Sequence, residues 1–159
     1  MKVLGIDPGF DRLGAAIVER VHGRDTVSFS TCLLSERGTP LPDRLAALGT
    51  QLEAVLEREA PTHVAIETLF FNKNVKTALD VAQARGLILY LGRRFGCSIH
   101  EYSPQAVKVA VTGHGQSDKT AVIAMVRRLA VGVPSDGLDD EYDAIAVGIT
   151  CLAHEARGR

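Results

Sequence analysis

Asp7 closes the apolar run Val3-Leu4-Gly5-Ile6 and stands directly before Pro8-Gly9. A buried-type run that delivers a carboxylate to its C-terminal end is where open α/β sheets keep their chemistry. The pattern recurs at His63-Val64-Ala65-Ile66-Glu67, and a third acidic group, Asp139-Asp140-Glu141-Tyr142-Asp143, lies near the C-terminus. Phosphodiester hydrolysis needs charge neutralisation and an activated water. Two divalent cations roughly 4 Å apart, held by carboxylates, supply both. Hard cations such as Mg²⁺ or Mn²⁺ prefer oxygen ligands. Asp7, Glu67 and Asp140 suit that task, and Asp143, about one helical turn after Asp140, shares its face.

Each acid also has a plainer explanation. Asp7 could cap the Pro8-Gly9 turn. Glu67 could be a surface acid at a strand end, and Asp139 and Asp140 are good residues for a helix N-terminus. Taken together these explanations weaken, because Asp139, Asp140, Glu141 and Asp143 repel one another. A cation relieves that repulsion, whereas a cap needs only one acid.

The elements that must position these groups follow from the patterning. Residues 2–7, 13–19 and 26–34 read as strands, joined by tight turns at Pro8-Gly9 and around Gly23 into antiparallel hairpins. Val27, Phe29 and Thr31 are expected on one side of the third. Leu41–Glu59 keeps helical apolar spacing, and Pro61 stops it. Strands at 63–67 and 98–102 flank a helix from Val75 to Arg94. Ser103-Pro104 starts another helix by cap and N1 chemistry. Ser117-Asp118-Lys119 caps one running to about Ala130, and a last helix spans roughly Asp139–Glu155. The result is a mixed α/β five-stranded sheet flanked by helices, in a single domain over residues 1–159. Parallel pairing of the first and fourth strands through a right-handed crossover would set Asp7 beside Glu67.

The chain has 159 residues, is 46% hydrophobic and has a net charge of −1, which fits a domain with a real core and does not by itself signal nucleic-acid binding. The distribution is more informative. Between Asn72 and Arg128 nine bases face three acids, so that segment is +6 and the rest −7. A basic middle beside an acidic pole suits a metal nuclease, and equally a solvated helical surface. Cys32, Cys97 and Cys151 are widely spaced and odd in number, which argues against a disulfide framework or a zinc cluster. No stretch is long and apolar enough to span a bilayer, residues 1–7 read as a strand rather than a signal peptide, and a cytoplasmic location is expected.

Five strings carry a family likeness: Gly5-Ile6-Asp7-Pro8-Gly9; Ala65-Ile66-Glu67 with Phe70 and Lys73-Asn74; Gln83-Ala84-Arg85-Gly86; Val107-Lys108 with Gly113, Gly115 and Lys119; and Asp140-x-x-Asp143-Ala144. In order and spacing, from residue 3 to about 150, the set resembles the RuvC-type Holliday junction resolvases. The resemblance implies a ribonuclease H-like fold and a homodimer. It implies symmetrical nicking of four-way DNA junctions in recombination and repair, dependent on Mg²⁺ with Mn²⁺ as a substitute and two ions per site. The RuvA-RuvB branch-migration complex is the implied partner. Carried onto this chain, it makes Asp7, Glu67, Asp140 and Asp143 the catalytic metal ligands. It puts Lys108 and Lys119 near the scissile phosphate, with Lys119 catalytic, and makes Phe70 the aromatic that stacks on a base.

The chain departs from the family pattern at Phe10, Phe71, Asp139, Glu141, His114 and Ser117, none of which removes a catalytic residue. Phe70 and Phe71, beside Lys73 and Lys76, form a candidate DNA-binding segment, because an exposed aromatic next to bases suits stacking on unpaired nucleotides. If that segment is extended, successive side chains point to opposite sides, so both cannot be core. Lys119 opens a helix after a Gly-x-Gly loop, where backbone N–H groups also favour phosphate. Of five histidines only His114, in that loop, merits a test. Ala78, Ala82 and Gly86 form a small-residue row on one helix, either packing on their own sheet or forming a twofold dimer contact. Two other functions fit parts of the pattern. One is an actin-like nucleotide-binding domain, which needs a second domain and a phosphate loop not seen here. The other is a ribonuclease H-like nuclease acting on RNA.

Overall fold

The computed structural model describes residues 1–68 and 75–157, without side-chain detail at 75–77 and 157. Strands β1 (Lys2–Asp7), β2 (Arg12–Val21) and β3 (Arg24–Leu34) precede helix α1 (Leu41–Glu59). Then come β4 (His63–Glu67), α2 (Val75–Arg94), β5 (Ser98–Tyr102), α3 (Pro104–Thr112), α4 (Lys119–Leu129), β6 (Ala130–Val131) and α5 (Asp139–Arg157). The sheet order is β5-β4-β1-β2-β3-β6. β1, β2 and β3 pair antiparallel, while β4 is parallel to both β1 and β5.

The sheet therefore has six strands, not five. β6 is two residues long and lies parallel to Asp25-Thr26 at the sheet edge. A pair that short leaves no periodic trace; the local pattern there is the tail of α4, which ends where Ala130 takes extended backbone at φ −122° and ψ 150°.

Alternation along the strands divides the core. Leu4, Ile6, Val64 and Ile66 pack on one side with α1 and α2, together with Leu48, Leu52, Leu56 and Ile88. Val3, Ala65, Ala16 and Val18 face the other side, with α5 and the inner residues of α3 and α4. Asp7 continues the Val3-Gly5 face and Glu67 the Ala65 face, so both carboxylates emerge beneath α5.

The expectation that Val27, Phe29 and Thr31 share a side fails at a β-bulge. Val18 pairs with Val27 but Ile17 pairs with Phe29, leaving Ser28 as an extra residue. The bulge reverses the alternation. Val27 joins the α5-side core, and Phe29 packs with the α1–α2 side.

α5 lies very close to the sheet, and three glycines permit it. A Cβ at Gly5 would overlap the Ala144 carbonyl oxygen, and one at Gly14 the Asp140 carbonyl oxygen. On the helix side, a Cβ at Gly148 would come within 2.6 Å of Val18 Cγ2. Glycine inside a strand marks a close approach of another backbone. Here that approach sets the N-terminal turn of α5 against the end of β1.

Candidate active site

Parallel pairing of β1 and β4 aligns Ile6 with Ile66, so the next residues, Asp7 and Glu67, sit at adjacent strand ends. Gly14 is opposite Asp7 on β2, and the Asp140 backbone rests on Gly14. The first turn of α5 is thereby held over the two strand-end acids. Glu141 caps that turn by accepting from the Leu138 N–H at 3.1 Å, and it accepts from the Ser30 hydroxyl at 2.7 Å. It is therefore bound to the loop and to β3.

A cleft of ≈ 240 Å³ opens at this point. Its polar lining is Asp7, Glu67, Asp143, Lys108 and Lys119, and its floor includes Pro104, Val107, Val122 and Ala146. The lysines arrive on well-capped helices. Ser103 accepts from the Ala106 N–H at 3.1 Å and starts α3, which carries Lys108. Asp118 accepts from the Ala121 N–H at 2.8 Å and starts α4 at Lys119. Between them, the Thr112 hydroxyl accepts from the His114 N–H at 3.1 Å and lies 2.7 Å from Ser117 Oγ. This bonding fixes the 113–118 loop through its backbone, while the His114 side chain is exposed.

Electrostatics set the character of the cleft. Burial, then the neighbouring Asp143, Glu67 and Asp140, push Asp7 up to about 7 against the opposing pull of Lys119. Burial and Asp143 likewise push Glu67 up to about 7, against Lys108 and Lys119. Neither acid has an ion-pair partner among the described residues. Asp143 does: Lys119 Nζ lies 2.9 Å from its Oδ2 and 3.3 Å from Asp139. Burial pulls Lys119 down, but hydrogen bonds and charge from Asp143 and Asp139 outweigh it and hold the ammonium above its usual range. Asp140 points elsewhere, with Oδ2 3.1 Å from the Arg12 guanidinium, and does not line the cleft. The geometry thus collects Asp7, Glu67, Asp143, Lys108 and Lys119, and places Asp140 at the rim. As they stand, the carboxylates form no closed cage of three donors among the described residues.

A family model for the crossover junction endodeoxyribonuclease RuvC matches residues 3–151. The chain belongs to the RuvC family. It is 44% identical to the crossover junction endodeoxyribonuclease RuvC of Heliobacterium modesticaldum, over 97% of this chain and 94% of that one. It is also 44% identical to the RuvC of Chloroflexus aurantiacus, covering 98% and 94%. Among solved structures, Thermus thermophilus RuvC superposes with a TM-score of 0.88 at 28% identity, covering 99% and 97%. The same protein in complex with a Holliday junction substrate gives 0.91, covering 99% and 96%. The fold is therefore the ribonuclease H-like fold of RuvC.

Within that RuvC frame, Phe70, Phe71 and Lys73 lie outside the described residues, as does the Lys76 side chain. On α2, Ala78 and Ala82 are half-buried, while Gly86 is exposed with open space around it. Phe10 is accounted for by Arg44, a buried arginine of α1, whose guanidinium stacks over the ring at 4.6 Å. Arg44 also donates to the Phe10 carbonyl at 3.1 Å and to Ser35 Oγ at 3.0 Å, and pairs with Asp11. This clamp fixes the loop that follows Asp7. The sequence reading missed Arg44, Arg12 and the three packing glycines. Glycine inside a strand and glycine inside a helix were the available signals for the last group.

The raised carboxyls have a consequence for stability. A carboxyl whose folded pKa exceeds its unfolded value binds more protons in the folded state. Stability is then lost as pH rises between the two values, here from about 4 to about 7. Asp11 and Glu59, held low by Arg44 and by Arg58 with Lys2, act in the opposite sense but only below pH about 4. In chelator, the melting temperature should fall from pH 5 to pH 8, and millimolar Mg²⁺ should reverse most of that fall. Thermal melts with and without Mg²⁺ test this. A melting temperature that rises over the same interval in chelator would contradict the electrostatic picture.

Proposed function

We propose that this chain is a divalent-metal-dependent endonuclease that resolves four-way DNA junctions by paired, symmetrical nicks. The observation that carries the reading is the convergence of Asp7, Glu67 and Asp143 with Lys108 and Lys119 in one cleft, within a RuvC-family fold. The T. thermophilus relative is described with a Holliday junction substrate, which supports the same substrate class here.

The donor set fits Mg²⁺ or Mn²⁺. It is all carboxylate oxygen, and two of its members, Asp7 and Glu67, have no ion-pair partner among the described residues and are pushed up first by burial and then by neighbouring carboxylates. Asp7, Glu67, Asp140 and Asp143 are the residues that would hold the ions. When bound, divalent ions neutralise phosphate charge and lower the pKa of a water. The remaining work belongs to the chain itself. Lys108 and Lys119 hold the phosphate from the α3–α4 side, and Lys119, freed from Asp143, offers positive charge to the developing oxyanion. The 113–118 loop keeps both lysines at fixed positions.

Resolution needs two nicks, and one cleft makes one. A C₂ homodimer presents two clefts related by the near-twofold axis of the junction. α2 offers a surface for that contact: Leu79 and Tyr90 are 61% and 62% exposed and flank open Gly86. Ala78 and Ala82 lie along the edge of this strip. The RuvA-RuvB complex belongs to the same proposal as the partner that supplies the junction. Phe70, with Phe71, Lys73 and Lys76 nearby, is proposed to meet the DNA.

Incubation with a mobile four-way junction, linear duplex and structured RNA, with and without Mg²⁺, tests the reading. Paired nicks should occur only with the junction and the metal. Equal cutting of RNA would favour the RNA-directed alternative. Gly86→Arg should give a monomer of normal helicity that no longer makes paired nicks. A mixed dimer carrying one Asp7→Asn subunit should nick one strand and leave a cruciform plasmid unresolved; linear product at the wild-type rate would sink the one-site-per-strand model.

A further inference from the structure

We propose that Arg12 acts as a placeholder cation for Asp140, holding that carboxylate at the rim until a DNA phosphate takes the guanidinium and frees it to join the metal-binding set. The inference rests on the metal-binding reading of Asp7, Glu67, Asp140 and Asp143.

Three observations carry it. First, Arg12 spans the boundary between site and solvent. Its guanidinium lies 3.1 Å from Asp140 Oδ2, yet its side chain is 47% exposed while that of Asp140 is 18% exposed. One end of the pair thus faces the acids, and the other faces the surface from which DNA must arrive.

Second, the hold is loose. Asp140 Oδ2 is buried and makes no hydrogen bond of good alignment, so the contact has the distance of an ion pair without its strongest geometry. A guanidinium prefers the two-pronged contact that a phosphate can offer.

Third, the backbone beneath each partner is closely packed or strand-paired, so only the side chains need to move. A Cβ at Gly9 would overlap the Arg12 carbonyl oxygen, Arg12 is paired with Leu34 across β2 and β3, and the Asp140 carbonyl is seated on Gly14. Swinging the guanidinium outward leaves Asp140 beside Asp7, whose carboxyl already senses its charge.

The arrangement is matched on the other α5 acid, where Lys119 occupies Asp143. Without DNA, Asp140 and Asp143, the two α5 acids of the proposed metal set, are thus occupied by protein cations, while the two strand-end acids are not. Metal binding and junction binding should then assist each other, by the same factor in both directions.

Two measurements on the full chain test this, with wild type, Arg12→Ala and Arg12→Lys. In the first, Mn²⁺ alone is titrated calorimetrically without DNA. Arg12→Ala should bind Mn²⁺ more tightly than wild type, by about fivefold or more. In the second, junction affinity is measured in chelator over a range of salt. The slope of log K against log salt should become shallower by about one in Arg12→Ala and be restored in Arg12→Lys. Unchanged or weaker Mn²⁺ binding by Arg12→Ala, or an unchanged slope, overturns the proposal and leaves the metal site standing. Failure of all three proteins to bind Mn²⁺ overturns the metal reading and the proposal with it.

Discussion

Asp7→Asn should leave junction binding intact and lower the rate of cutting about a thousandfold, the loss expected when charge stabilisation worth several kcal/mol is removed from a transition state. The same substitution should raise the melting temperature in chelator by about 5 °C. Asp7 is half-buried near three other carboxylates with no ion-pair partner among the described residues, and despite the pull of Lys119 its ionised form is a cost to the fold rather than a support. The two effects have opposite signs, which separates a ligand from a structural acid. A structural acid would lose stability and activity together. Cutting by Asp7→Asn within tenfold of wild type, at equal Mg²⁺, would remove Asp7 from the metal site.

The second large effect is expected at a position with no chemistry. Gly5→Ala adds one methyl group against the Ala144 carbonyl, with the Gly148 N–H 2.8 Å from the new carbon. Both obstacles are backbone, so no side chain can rotate away, and either α5 lifts or β1 bends. Overpacking against main chain should cost about 3 kcal/mol or more, a fall in melting temperature of roughly 10 °C. Any folded fraction should cut poorly, because lifting α5 draws Asp140 and Asp143 away from Asp7 and Glu67. Calorimetry and junction cutting below the melting point measure both. A Gly5→Ala protein that melts within 2 °C of wild type, a margin of under about 1 kcal/mol, would show that the helix–sheet contact yields easily.

The sequence was most informative where pattern is local. α1 and β4 begin and end as the apolar spacing and Pro61 require, and α3 and α4 start at the caps that Ser103 and Asp118 provide. The pairing of Asp7 with Glu67 was legible because strand alternation and a right-handed crossover leave few alternatives. The bulge at Ser28 was not, since an extra residue in a strand has no signature until its partner is known. Nor was the division of labour within Asp139–Asp143. Four acids within five residues turn to Lys119, Arg12, Ser30 and the cleft, and only the packing of α5 decides which goes where. Arg12 and Arg44 carry no local signal because their partners are distant in sequence or lie on another element.

The acids of the cleft come from β1, from β4 and from α5, which follows both strands by more than seventy residues. On the proposed metal-binding set, a chain in which α5 has not yet been made has the strand-end acids but lacks Asp140 and Asp143, and it should not cut DNA. The same holds for a chain trapped during refolding with its hairpins formed and α5 undocked. Nuclease activity should thus appear with the docking of α5 rather than grow in proportion to secondary structure.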